Sequence, residues 1–371
     1  MSQARSKVSV LGAGRVGSAE ANALVLLRVC DLVVLYDRDL ARAEGQAWDI
    51  GDAVPLLSEM VVVPTAEYSD LDGSDVVVVT VGPTLAVGQT RLDLARVNAG
   101  IIAGVVRELD RVCPEAVVIL VSNPVDVLTR IAIEASTRPP HLIFGCGTVL
   151  DGARLRHQLG KLLDVDEDSV HAYVIGEHGD SSFPVWSSAT VGAIRLEQYG
   201  LPDGTSLPQI QHDLAAAVRR RGMNIHERKG FTSYGVAAAV ARIVRAVVRD
   251  EKRIFMVSVL AAQEYGIGPV ALSLPCIVGR GGHRPPAHAE HVRRRGTDAP
   301  ALRGGPRQGI SVARCRRERL VTVVRVAGQP WPEPGTPRQP AANWARHPPA
   351  HGALPGHAGP ARRTASAPTL H

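Results

Sequence analysis

The apolar positions of the chain fall first into short unbroken runs and later into mixed patterns. Lys7–Leu11 reads as a buried strand, a glycine-rich turn follows, and helical spacing continues to Leu27; a second apolar run, Leu32–Tyr36, ends at Asp37. The alternation predicts a helix over 41–53, strands over 60–63 and 75–81, a helix after Arg91 and a strand over 117–121. Strands without polar alternation are apolar on both faces, so both faces need cover. Intervening helices supply it, which is the pattern of a doubly wound parallel sheet. Beyond Pro139 the order becomes a strand over 142–144, a helix over 150–163 and a strand over 170–175, then helices over 207–223 and 234–250 and strands over 254–260 and 270–278. This second half mixes helices with strands that look antiparallel.

After Arg280 the periodicity dissolves into Pro, Gly, Arg, Ala and His. The formal charge of +6 for 371 residues conceals that change. Residues 281–371 hold 15 arginines, no lysine and 4 acidic residues, which leaves 27 basic and 32 acidic residues before them. The tail, 281–371, is therefore expected to be low-complexity and disordered. It lacks a helical basic stripe and aromatic interleaving, so nucleic acid is not an expected partner. The five cysteines, at 30, 113, 146, 276 and 315, form no CxxC pair and no zinc spacing. A reduced, cytoplasmic setting with no metal site is the expectation. No apolar run reaches the roughly 18 residues of a membrane span, and a strand beginning at Lys7 leaves no room for a signal peptide.

Candidate chemistry sits at the strand ends. In Gly12-Ala13-Gly14-Arg15-Val16-Gly17, Gly12 permits the tight turn, Gly14 lets backbone approach a pyrophosphate, and Gly17 lets helix pack on strand. Asp37, 20 residues after Gly17, can accept both ribose hydroxyls and would repel a 2′-phosphate, which favours NAD over NADP. The expected fold is thus α/β: a Rossmann-type NAD-binding domain over 1–145, then a mixed α+β substrate domain over 146–280. A loop with paired glycines, from Gly82-Pro83 through Leu85 and Gly88 to Arg91, hangs over the carboxyl ends of the strands and could carry Arg91 toward a ligand. Ser122-Asn123-Pro124-Val125-Asp126 ends another strand. Asp151 and Arg154 share a helical face, where a surface ion pair is the bland alternative. In Gly176-Glu177-His178-Gly179-Asp180-Ser181, flanking glycines leave His178 open to close approach, with Asp151 available to orient an imidazole and Arg154 to grip a carboxylate.

In order, GAGRVG, GQTRLDL, SNPVD, LDGARLR, GEHGDS and KGFTSYG resemble the L-lactate dehydrogenase family, within the lactate and malate dehydrogenases, over residues 7–279. The resemblance implies interconversion of L-lactate and pyruvate, with His178 exchanging the hydroxyl proton, Asp151 holding the ring, Arg154 binding the carboxylate and Arg91 polarising the carbonyl. It implies Asn123, Asp126 and Thr232 as further substrate contacts. NAD contacts would come from Gly12, Gly14, Val16, Gly17, Asp37, Arg42, Tyr68, Gly82, Pro83, Val121, Ser122, Asn123 and Cys146. Arg156 and His171 match the residues that bind the activator fructose 1,6-bisphosphate in allosteric bacterial members, and the family is usually homotetrameric.

Two departures stand out. Leu85 falls where lactate enzymes usually carry Gln and malate enzymes Arg. A leucine cannot neutralise a second carboxylate, so malate is disfavoured, while a larger aliphatic 2-hydroxy acid stays open beside lactate. After Gly279 the tail stands where the family has a last strand and a long helix, as a shifted reading frame or misjudged gene end would produce. A chain lacking that helix could also be an inactive NAD-binding remnant.

Overall fold

The computed structural model describes residues 5–57, 59–83, 91–261 and 269–286, with backbone alone for 91–94. Leu85 and most of the loop carrying it lie outside the described residues, as do 287–371 of the tail.

The first half runs β1 (Lys7–Leu11), α1 (Arg15–Leu26), β2 (Leu32–Tyr36), α2 (Leu40–Leu57), β3 (Val61–Thr65), β4 (Val76–Val79), α3 (Arg91–Val112), β5 (Val117–Leu120), α4 (Val125–Ala135) and β6 (Ile143–Gly145). All six strands are parallel, in the order β6-β5-β4-β1-β2-β3. The continuous apolar runs are what such a sheet requires. Val76 to Val79 are all fully buried, and each such side chain contributes on the order of 1.5–3 kcal/mol through burial. The chain reverses direction across the sheet between β1 and β4, which opens a crevice at their carboxyl ends.

The second half runs α5 (Val149–Leu163), β7 (Val170–His171), β8 (Val174–Ile175), β9 (Phe183–Pro184), β10 (Thr190–Val191), β11 (Ile194–Arg195), α6 (Leu207–Lys229), α7 (Tyr234–Val248), β12 (Arg253–Ala261), β13 (Val270–Gly279) and β14 (Gly282–Arg284). Beyond elements the sequence pattern does not anticipate, namely α4, β9, β10, β11 and β14, the last within the stretch expected to be disordered, three findings differ from it. The run 170–175 is two strands, because β7 pairs with β10 whereas β8 pairs with β9. Helix α6 continues to Lys229, where Gly230, at φ +82°, ends it with an N–H bond to His226 O of 2.7 Å. The antiparallel strands β12, β13 and β14 extend the first sheet to nine strands, joined to β6 through Ser258 opposite Gly145. A Cβ on Gly145 would lie 3.0 Å from Ser258 Cβ, so a glycine there keeps that join close.

The cores follow the same division. Val240, Ile243, Val244 and Val247 of α7 belong to the main cluster with the sheet and α1. A smaller cluster gathers Leu155 and Leu159 of α5, Val170, Val174, Val191 and Val218 of α6. Among the described residues no helix is long and apolar enough to cross a membrane.

Candidate active site

The glycine turn is built by close packing. Gly12, at φ +103°, donates its N–H to Tyr36 O at 2.7 Å. A Cβ at Gly17 would stand 1.8 Å from Gly12 O, which only glycine avoids. Thr80, just after β4, donates its hydroxyl to Leu11 O at 2.8 Å and Gly12 O at 3.1 Å, holding the turn from beneath. Gly14 caps α1 with no side-chain acceptor, no acidic residue stands in the first turn, and a Cβ there would meet open space. The first amides of α1 are thus free for an anion, with room for a pyrophosphate to approach.

Asp37 is 8% exposed; it accepts Ala13 N–H at 2.9 Å and Asp39 N–H at 3.0 Å. Arg42 lies 3.7 Å from Asp37 and 3.3 Å from Asp39. Tyr68 packs on Tyr36 with ring centroids 4.6 Å apart, and burial pushes its phenol pKa up. Val16 packs against the main core. The open helix N-terminus at Gly14 and the carboxylate of Asp37 beside it, bonded to Ala13 N–H, are the features a dinucleotide-binding turn requires.

At the ends of β4 and β5, Val121 N–H bonds Val79 O at 2.9 Å and Ser122 Oγ donates to Val81 O at 2.5 Å. Asn98 Nδ2, from α3, donates to Asn123 O at 2.8 Å. Gly82 turns at φ +125°, where a Cβ would come within 2.6 Å of Asn98 Oδ1; Pro83 beside it is exposed. Arg91 begins α3.

In the second half, the His178 ring is held against α5. Its Nδ1 lies 2.7 Å from Asp151 Oδ2, and Arg154 Nη1 donates to Asp151 Oδ1 at 3.1 Å. Side-chain exposure is 28% for His178, 15% for Arg154 and 7% for Asp151, so the carboxylate lies behind the imidazole and the guanidinium. Asp151 sits in the first turn of α5, where the helix dipole favours negative charge. Burial pushes its carboxyl pKa up, but the His178 hydrogen bond and charge, with Arg154, bring it below the ordinary value. Burial presses the His178 imidazole pKa down, yet the bond and charge of Asp151, with Asp126 adding, hold it above the ordinary value against Arg154. With Asp151 ionised, Nδ1 carries the proton and Nε2 is left as an acceptor.

Asp126 opens α4 and is 7% exposed. Its oxygens accept His178 N–H at 2.7 Å and Ser258 Oγ–H at 2.6 Å. Cys146, next to β6, is buried, and burial with the nearby Asp126 and Asp151 charges pushes its thiol pKa up to about 12. Thr232 follows Phe231, over whose ring stand Arg15 of the glycine turn at 4.5 Å and Lys229 at 4.4 Å. Arg156 on α5 and His171 on β7 occupy elements packed on each other. Among the described residues no His, Cys, Asp and Glu group could hold a metal ion.

Thr80, Asn98 and Ser258 belong to this site although the sequence pattern does not single them out. Each acts through one contact to a distant segment, so no local spacing marks them.

A nucleotide cradle and a carboxylate-held histidine along one α/β sheet are the equipment of a dinucleotide-dependent dehydrogenase. Residues 6–145 match the model of the lactate/malate dehydrogenase NAD-binding domain, and 148–293 that of its alpha/beta C-terminal domain. The chain belongs to the lactate/malate dehydrogenase family and carries its NAD-binding domain. It is 43% identical to an L-lactate dehydrogenase of Moorella thermoacetica over 282 residues and 45% identical to one of Thermus aquaticus over 277. These alignments cover 76% and 74% of this chain and 89% of each relative. The crystal structure of the minor L-lactate dehydrogenase from Enterococcus mundtii superimposes with a TM-score of 0.72 at 32% identity, covering 78% of this chain and 94% of that one.

Proposed function

We propose that the protein interconverts L-lactate and pyruvate with NAD, using His178 as the acid/base. The observation that carries this reading is the His178–Asp151–Arg154 group, with Nδ1 held at 2.7 Å and no hydrogen bond to Nε2 among the described residues. When bound, NAD supplies the acceptor for the hydride leaving lactate C2. As that hydride departs, the hydroxyl proton passes to His178 Nε2, and Asp151 stabilises the imidazolium. In reduction, the imidazolium returns the proton to the new alkoxide oxygen. Arg154 binds the substrate carboxylate through its guanidinium fork while remaining paired to Asp151. Arg91 polarises the carbonyl, where charge develops. Asn123 and Thr232 complete the substrate wall, and Gly12 to Gly17, with Asp37, hold the cofactor. Arg156 and His171 form an anion site for fructose 1,6-bisphosphate in a homotetramer.

Leu85 extends the acceptable acids toward larger aliphatic ones. NADH oxidation by the purified full chain, compared with pyruvate, 2-ketoisocaproate and oxaloacetate, tests the proposal. Pyruvate or the aliphatic acid should lead. Preference for oxaloacetate would refute the argument from Leu85, and NADH binding without turnover on any acid would refute the catalytic assignment.

A further inference from the structure

The family resemblance puts Asp126 among the substrate contacts, but both its oxygens are taken up inside the protein. One receives the backbone N–H of His178, 52 residues away, at 2.7 Å; the other receives the hydroxyl of Ser258, 132 residues away, at 2.6 Å. A single carboxylate thus ties together the start of α4, the His178 loop and β12. The same loop is pinned again two residues earlier, where Gly176 and Ser273 of β13 exchange backbone bonds of 3.1 Å and 2.8 Å. His178 is therefore gripped by two carboxylates, Asp151 through the ring and Asp126 through the main chain.

We propose that Asp126 is a positioning residue for His178: it fixes the backbone from which the imidazole projects and sets a second negative charge behind the ring, rather than binding substrate. This rests on the acid/base reading of His178 and deepens it. An N–H bonded to an ionised carboxylate is held more tightly than one bonded to a neutral acceptor, and 7% exposure keeps water from competing. The negative charge favours imidazolium over imidazole. Asp126 does not act alone on that equilibrium, because Asp151 and Arg154 on α5 face the ring, and Glu177 and the Cys146 thiol lie beside Asp126. Burial pushes Asp126 itself up to about 6, against the bonds from Ser258 and His178, so its charge is lost at a higher pH than that of an ordinary carboxylate.

Two substitutions separate geometry from charge. In Asp126→Asn the amide oxygen can still accept His178 N–H, and its NH2 can donate to Ser258 Oγ, so the tie survives without charge. Asp126→Ala removes both and leaves two buried donors without an acceptor. The titration of His178 Cε1 is followed by NMR in the 13C-histidine-labelled full chain, with the resonance identified by its loss in His178→Asn. Asp126→Asn should move the His178 midpoint to lower pH. In pyruvate reduction with NADH, the falling limb of kcat/KM should move with it. Asp126→Ala should lower kcat about 100-fold, as a displaced acid/base does, with NADH affinity unchanged. A His178 midpoint in Asp126→Asn equal to that of the unaltered chain overturns the proposal, whatever the turnover. A shifted midpoint in a chain that reduces no keto acid supports the positioning role and refutes the acid/base reading of His178 instead.

Discussion

Glu20 gives the most quantitative test of how the cofactor domain is assembled. It lies on α1, one helical turn after Val16, with 0% exposure and neither carboxyl oxygen hydrogen-bonded among the described residues. Burial alone pushes its pKa well above the ordinary value, so the folded chain holds that proton to a higher pH than the unfolded chain, which releases it near the ordinary carboxylate value. An unpartnered buried polar group costs about 1–3 kcal/mol, and a methionine of similar length would return apolar burial at about 0.8 kcal/mol per methylene. Glu20→Met should therefore raise unfolding free energy by about 2 kcal/mol at neutral pH.

The sign with pH follows from the proton count. Because the folded state binds the extra proton, stability falls as pH rises from the ordinary carboxylate pKa to the raised folded one, by up to about 1.4 kcal/mol per unit from this group. Urea unfolding followed by circular dichroism at several pH values, for the unaltered chain and Glu20→Met, measures both quantities. The variant should be more stable and its pH slope shallower. A variant that is less stable, or that keeps the full slope, would show that Glu20 has a partner or solvent access and would refute the reasoning.

The remaining predictions concern the site. Pyruvate reduction, which needs imidazolium, should decline as pH rises through the elevated His178 pKa, and lactate oxidation should rise over the same window; initial rates in both directions across pH check this. Asp151→Asn should cost roughly 100- to 10,000-fold in kcat, because the amide removes the charge that stabilises imidazolium and can turn its NH2 toward Nδ1, which favours the wrong tautomer. It should also lower the His178 midpoint. Arg154→Lys keeps the charge but loses the planar fork, so KM for pyruvate should rise at least tenfold with NADH binding intact. Gly17→Ala places a methyl 1.8 Å from Gly12 O and should abolish NADH binding, read by fluorescence titration.

The parallel sheet was legible because a strand buried on both faces needs an unbroken apolar run, and Val76–Val79 is such a run with nothing else to be. The glycine turn was legible for a similar reason: its geometry excludes side chains at Gly12 and Gly17, so the constraint is written in residue type. Helix α4 was not anticipated. Its buried positions Val125, Leu128, Thr129 and Ala132 have helical spacing, but Pro124 and the polar Asp126 at its start look like the end of a strand-terminal loop. The break between β7 and β8 is invisible in a continuous apolar stretch, since only the choice of partner strand divides it.

What the sequence could not place is the part of the site that depends on β12 and β13. By composition and order these strands belong to the second half, yet they continue the first half's sheet through Gly145 opposite Ser258. That continuity matters for chemistry. Ser258 bonds Asp126, Asp126 bonds His178 N–H, and Ser273 bonds Gly176, so the acid/base loop is docked on strands rigidly paired to the sheet that carries the nucleotide cradle. On the proposed reading, hydride must reach the substrate carbon while the proton reaches its oxygen, so cofactor and imidazole have to be held in register to within a fraction of an ångström. Sharing a single sheet removes the hinge that two separately folded halves would place between them. The residues that accomplish this are a small glycine, two serines and an aspartate, each unremarkable where it stands in the chain, and their role exists only once the strands are paired.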